Sequence, residues 1–191
     1  MGDTLVPRAR PLNGRGDSVA GVVTWAALDT ALAAVLDAGT GATLAKAPGN
    51  PRIQARVGNL RSDPVALVAQ PPLASIDAEG DVRDTVTLTG TPKDTISDSL
   101  RVRVSAATPP SQTLLRRLVT YELAVFPPGS AATTLIPNDS VYTPANGIAV
   151  VQVRLDAAGP PDSVVVTARA TRHDGTPVPG SPLTFVVEFR P

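Results

Sequence analysis

NGIAVVQVRL, residues 146–155, is the stretch on which the fold turns. Asn146-Gly147 offers a residue that accepts positive φ, the usual entry to a strand from a tight turn. Behind it the side chains alternate: Ile148, Val150 and Val153 are apolar, Gln152 and Arg154 polar, and Val151 interrupts the pattern. A period of two is the mark of a strand with one wet face. The same rhythm recurs on both sides. In DSVVVTARATR, Val164, Val166, Ala168 and Ala170 share one face, and Val165, Thr167 and Arg169 the other. In LTFVVEF, residues 183–189, Leu183, Phe185, Val187 and Phe189 share a face. Strands are expected at 84–89, 100–105, 118–125, 147–155, 163–171 and 183–189, with the Pro109-Pro110 pair breaking the ladder after the second.

Composition agrees. Twenty prolines and fifteen glycines divide 191 residues into short runs rich in Val, Thr and Leu, as in sandwiches and barrels. Aromatics make up only 3% of the chain, so the core must be built from aliphatic side chains, which suit a pleated sheet. Seventeen basic residues balance seventeen acidic ones. Nucleic acid or a lipid surface as partner normally calls for a basic excess, and the Arg116-Arg117 pair is too small to supply one. Without cysteine there is neither a disulfide nor a thiolate nucleophile nor a Cys-based zinc site. No apolar run is long enough for a transmembrane helix, and MGDTLVPRAR at the start lacks the apolar core of a signal peptide.

The first half is less regular. Residues 21–25, 52–57 and 64–69 read as strands. AALDTALAAVLDAGTG, residues 26–41, is ambiguous: its Ala and Leu content favours helix, and Leu28, Leu32, Val35 and Leu36 repeat at helical spacing. Gln70-Pro71-Pro72-Leu73 marks a break. The expected division is a domain at 1–70, a Pro-rich linker at 71–78 and a domain at 79–191.

Residues 16–69 resemble a group 2 bacterial immunoglobulin-like domain. The carriers are Val23-Thr24-Trp25, Leu28-Asp29-Thr30, Val35-Leu36-Asp37, Thr40-Gly41, Pro48-Gly49 and Arg52-Ile53-Gln54-Ala55. The resemblance implies a short strand at 31–36, against propensity. The second half is similar to the neighbouring group 1, the invasin and intimin type, through LRVRVSAA (100–107), RRLVTYELA (116–124), TPANGIAVVQVRL (143–155), SVVVTARAT and LTFVVEF. Where that group usually has Asp before Ala-Asn-Gly, this chain has Pro144, so no carboxylate role carries over. The implied fold class is all-β, two tandem Ig-like β-sandwiches. The first begins at Gly2-Asp3-Thr4-Leu5, where the family has an earlier strand. A missing first strand leaves an edge open to strand addition by a partner.

Chemistry-bearing constellations are sparse. His173 is the chain's one histidine, sits beside an Asp-Gly turn, and reads as a turn residue. GTGATL, residues 39–44, lacks the third glycine of a dinucleotide loop. Asp77, Glu79, Asp81 and Asp84 in DAEGDVRD form the densest oxygen cluster, a candidate calcium site against the reading as a solvated loop. Arg15-Gly16-Asp17 spells an integrin tripeptide and Asn138-Asp139-Ser140 a glycosylation sequon; short matches of this kind arise by chance. Trp25 is expected to plug the space between two sheets. Tyr121 and Tyr142 read as half-buried strand positions; with Leu5 they are also the interface candidates.

These observations point to a non-catalytic extracytoplasmic structural or protein-binding module with no cofactor. Its partners are other protein subunits, reached by edge-strand pairing in the first domain, and it is an accessory subunit of a cell-envelope or membrane-associated assembly, with a respiratory or photosynthetic complex among the options. Two alternatives stand beside it. One is a surface adhesin or spacer. The other is a carbohydrate-binding module, for which one Trp and two Tyr are scant material.

Overall fold

The structure is a computed structural model that describes residues 4–89, 94–107, 114–130, 133–156 and 159–190. The Pro109-Pro110 break lies outside them. The described residues are all-β, and the chain divides into two compact units, Met1–Pro71 and Pro72–Pro191.

The first unit holds β1 (Thr4–Leu5), β2 (Thr24–Ala27), β3 (Ala33–Asp37), β4 (Ala42–Ala45), β5 (Arg52–Val57), β6 (Leu60–Arg61) and β7 (Val65–Ala66). One sheet runs β1-β4-β3; the other runs β2-β5-β6, with β7 also on β5. The helix favoured by composition at 26–41 does not form. Asp29 instead takes the Arg52 guanidinium and backbone N–H on β5, and its carbonyl accepts from Leu32 and Ala33 N–H in a turn. The segment beyond then forms a strand, with Ala33 buried, Ala34 and Val35 half-buried, and Leu36 and Asp37 exposed. A long-range lock and pairing with β4 outweigh a propensity difference of a few tenths of a kcal/mol per residue.

The second unit holds β8 (Leu73–Ala78), β9 (Arg83–Thr87), β10 (Leu100–Ala106), β11 (Leu118–Phe126), β12 (Thr133–Ile136), β13 (Ser140–Tyr142), β14 (Ile148–Leu155), β15 (Ser163–Arg169) and β16 (Leu183–Arg190). Its sheets run β12-β14-β10-β8 and β13-β11-β15-β16-β9, antiparallel except for β16 with β9. Counting β8–β9 as one strand and β12–β13 as another, the orders are fourth-fifth-second-first and third-sixth-seventh, the arrangement of an immunoglobulin sandwich. Each of those two split strands begins on one sheet and ends on the other. Between them they supply the outermost strand at all four sheet edges, though β13 covers only the Leu118–Thr120 end of β11; short, sheet-switching edges resist unwanted pairing.

Two expectations need correction. The linker expected at 71–78 is largely strand: Ile76 and Ser75 pair with Val104 and Ser105, and Leu73 and Ile76 are buried. The prolines stop at Pro72, so nothing keeps the following apolar alternation off the sheet. In the opening stretch, Ala149, Val151, Val153 and Leu155 face the core, whereas Ile148 and Val150 share the outer face with Gln152 and Arg154. Leu155 decides between the registers. A one-residue slip would turn it, with Val151 and Val153, toward solvent.

Candidate functional site: the open side of the first sandwich

The register fixes which side chains of the first unit point inward. In one sheet Leu5 lies opposite Thr43, and Thr43 opposite Val35; Thr43 is buried, so this row faces the interior. In the other, Trp25, Ala55, Ala27 and Ile53 share a face, which extends to Leu60, paired with Val57, and to Val65, paired with Ile53. The sandwich is closed on one side, where Trp25 N–H donates to the Ala38 carbonyl at 2.8 Å. There the Trp25 ring packs so tightly on Gly41 that a Cβ at that position would stand 2.7 Å from it and 2.8 Å from Pro7. Trp25 is therefore the expected plug, half-buried rather than central.

The opposite side carries β1 in one sheet and the β6–β7 edge in the other. Among the described residues no hydrogen bond joins these two edges. Leu5, Leu60 and Val65 point inward yet are 48%, 75% and 53% exposed. The β6–β7 edge is one strand interrupted by a bulge at Ser62–Pro64. Ser62 maintains the ladder through it, its N–H donating to the Ala55 carbonyl and its hydroxyl accepting the Ala55 N–H. A strand is present where the family resemblance raised its absence: Thr4–Leu5, two residues long, on β4 rather than on β2. Leu5 thus lies on the open side, as one of the residues proposed from sequence for an interface. Leu60 and Val65 were not singled out, although the Val57-Gly58-Asn59-Leu60 hairpin, with Gly58 at φ 56°, is a turn signal between apolar residues.

The other sequence candidates do not gather into a site. Tyr121 is buried at 4% exposure, because the β11 alternation turns Val119 and Tyr121 inward. It belongs to the core, its hydroxyl has no hydrogen-bond partner, and burial raises its phenol well above the usual range. Tyr142 lies on the outer face opposite Leu118 and is exposed. Phe126, the other exposed aromatic of that face, is at the far end of β11, roughly 26 Å away at the rise of a strand, so no sugar-stacking strip is formed there.

The acidic residues of the candidate calcium cluster do not converge. Asp77 is on β8 and accepts from the Ser75 hydroxyl. Glu79 is held by both arms of the Arg103 guanidinium at 2.6 Å, which lowers its pKa. Asp84 on β9 accepts the Asp98 N–H, and Asp81 is exposed in the turn between. No group of potential metal ligands occurs among the described residues. His173 is in an exposed turn in which Asp174 bonds Thr176. The Gly39–Gly41 stretch is the β3–β4 turn, its N–H groups bonded to Asp37. Arg15-Gly16-Asp17 forms an exposed loop folded back on Asn13, and Asn138 bonds the adjacent Asp139 N–H.

No family model matches the chain, and no curated protein matches it. Solved structures do. Domains 4 and 5 of the S-layer protein SbsC are 15% identical over 98% of this chain and 82% of that one, at a TM-score of 0.40. The adhesin InvE of Yersinia pseudotuberculosis is 17% identical over 94% of this chain and 52% of that one, at 0.43. A glycosyl hydrolase family 2 member from Bacteroides cellulosilyticus is 12% identical over 78% of this chain, at 0.40. The chain spans about half of the adhesin structure and 18% of the hydrolase.

Proposed function

We propose that this chain is a non-catalytic, extracytoplasmic protein-binding module. On this reading its units are a group 2-like and a group 1 bacterial immunoglobulin-like domain. The chain docks onto another subunit of a larger cell-envelope or membrane-associated assembly through the open side of the first. The observation that carries this reading is the row of inward-pointing apolar side chains, Leu5, Leu60 and Val65, left exposed between two edges. A partner strand laid there completes a sheet with main-chain hydrogen bonds and covers the row with its own alternate side chains. Balanced charge suits a protein partner better than a polyanion.

The test is recovery of the native protein from detergent-solubilised envelope membranes. A stoichiometric partner is expected with the wild type, and at least a tenfold loss of it with a Leu60→Lys, Val65→Lys double variant, whose changes are at exposed positions. A wild type recovered alone, or a double variant that keeps the partner, overturns the proposal.

A further inference from the structure

The second unit has one long stretch of sheet edge that no strand covers. β11 spans nine residues, Leu118–Phe126. On one side β15 pairs with Thr120 through Phe126. On the other, β13 pairs only with Leu118, Val119 and Thr120, and β12, the strand that follows β11, joins β14 in the facing sheet. Among the described residues, Glu122–Phe126 therefore has no hydrogen-bonded strand on that side.

Backbone parity shows what the edge offers. The Phe126 carbonyl accepts from Asp162 N–H beside β15, whereas Tyr121 N–H donates away from β15, to the Asp139 carbonyl at 2.7 Å. In an antiparallel ladder the direction alternates with each residue. Leu123 and Val125 therefore present N–H and C=O to the open side. The slot has two natural stops: Tyr121 is already bonded to Asp139, and Pro127 has no N–H to give. Ala124 lies midway between them.

We infer that this edge pairs with the same edge of a second copy of the chain, about a two-fold axis through Ala124. In that register Leu123 faces the second copy's Val125, and Val125 its Leu123. These are the residues whose backbone groups point outward, so the two pairs close four main-chain hydrogen bonds. The same side chains are half-buried against the core, and pairing continues an apolar row from one sandwich into the next. On the outer face Ala124 meets Ala124, small enough for close approach. Glu122, the slot's single charge, meets the second copy's Phe126, which is 45% exposed, and not its own equivalent. No proline or inward-pointing charge, the usual guards of an edge, occurs within Glu122–Phe126. An isologous contact needs such self-complementarity. Its extent, five residues on each side, is below that of a standard interface, so the dimer is weak and concentration-dependent.

The test uses the full chain. Sedimentation equilibrium should show the mass rising with concentration, up to ~1 mM, from 19.6 kDa toward twice that value. Ala124→Lys, an exposed outer-face change, opposes two like charges across the axis and should abolish the rise. An equimolar mixture of Ala124→Lys and Ala124→Glu should restore it. Residues opposite each other without direct hydrogen bonds lie ~4.5 Å apart at Cα, within disulfide range. In this cysteine-free chain, Ala124→Cys under oxidised glutathione should accordingly cross-link at least tenfold faster than Thr184→Cys, on the same face but an interior strand. A wild type that stays monomeric throughout, an Ala124→Lys variant that associates as well as the wild type, or equal cross-linking of the two cysteines overturns the inference.

Discussion

The two units use the same kind of sequence to different ends. The second buries one continuous apolar cluster, from Leu73 and Ile76 through the valines of β10, β14 and β15 to Phe185, Val187 and Phe189. Among its described residues the first buries only Ala33, Ile53 and Ala55, with Pro51 and Pro71, as apolar side chains, and it leaves Val22, Leu60 and Val68 more than 70% exposed. Period-two alternation is therefore enough to form strands, but a core also needs both sheets to be wide enough to cover each other. In the second unit, strands that switch sheets supply the outermost strand of each sheet. In the first, the two-residue strands β1, β6 and β7 form the edges of one side, and the apolar row is left uncovered there. A fold of about 70 residues is marginal in any case, and this one lacks even its share of burial.

The largest expected effect follows from that contrast. Phe185 is wholly enclosed, so Phe185→Ala should cost ~4 kcal/mol through lost transfer energy and the cavity left behind. Ile53→Ala in the first unit should cost less, ~2 kcal/mol, because its surroundings are already partly open and can relax. The chain carries its own reporters. Its one tryptophan, Trp25, reads the first unit, and Tyr121 reads the second by near-ultraviolet circular dichroism. In guanidinium the Trp25 transition should come first, and Phe185→Ala should move only the tyrosine transition. A single coincident transition in the wild type would break the comparison.

How far the sequence disclosed this difference depends on the residue. In the second unit, Val164, Val166, Phe185 and Val187 occupy the faces their alternation assigns, because long strands buried on one side leave little freedom of register. The opening stretch misled at Val150 and Val151, where consecutive valines satisfy either parity and only Leu155, five residues on, settles it. Leu73–Ala78 was hidden by its neighbours, since paired prolines mark a break without showing how soon the next strand starts. Tyr121 suits a strand interior and an interface alike, because its ring is amphipathic, and only the strand parity separates the two. The open row of Leu5, Leu60 and Val65 comes from three strands distant in sequence, and no local pattern shows that their edges fail to meet.

A smaller effect sharpens the account of the second core. The Tyr121 hydroxyl is buried without a partner, and such a group bears its desolvation cost uncompensated. Tyr121→Phe keeps the ring and removes the cost. It should raise the urea midpoint of the second unit, by ~1 kcal/mol of stability, and leave the Trp25 transition where it was. A loss of stability would mean that the hydroxyl is bonded in solution.

The smallest effect belongs to the first unit and depends on pH. Asp29 accepts hydrogen bonds from the Arg52 side chain and from the Arg52 backbone N–H, which hold its carboxyl at about 2, below the ordinary 3.8. A carboxylate whose pKa is lower in the folded state stabilises that state above its unfolded pKa, and the contribution disappears as pH falls through the folded value. The lock is thus complete above about pH 4 and lost progressively toward pH 2. Because the pair is solvent-exposed, the effect is modest and weakened by salt. Trp25 fluorescence should report a first-unit midpoint that falls over this interval, and Asp29→Asn should lower the midpoint at pH 6 while flattening its acid slope. The second unit's own bidentate pair, Glu79 with Arg103, is untouched by the substitution, so its tyrosine transition should be unmoved. If both transitions shifted together, the two units would be sharing their stability, and the contrast between a sandwich held by its core and one held by a turn would fail.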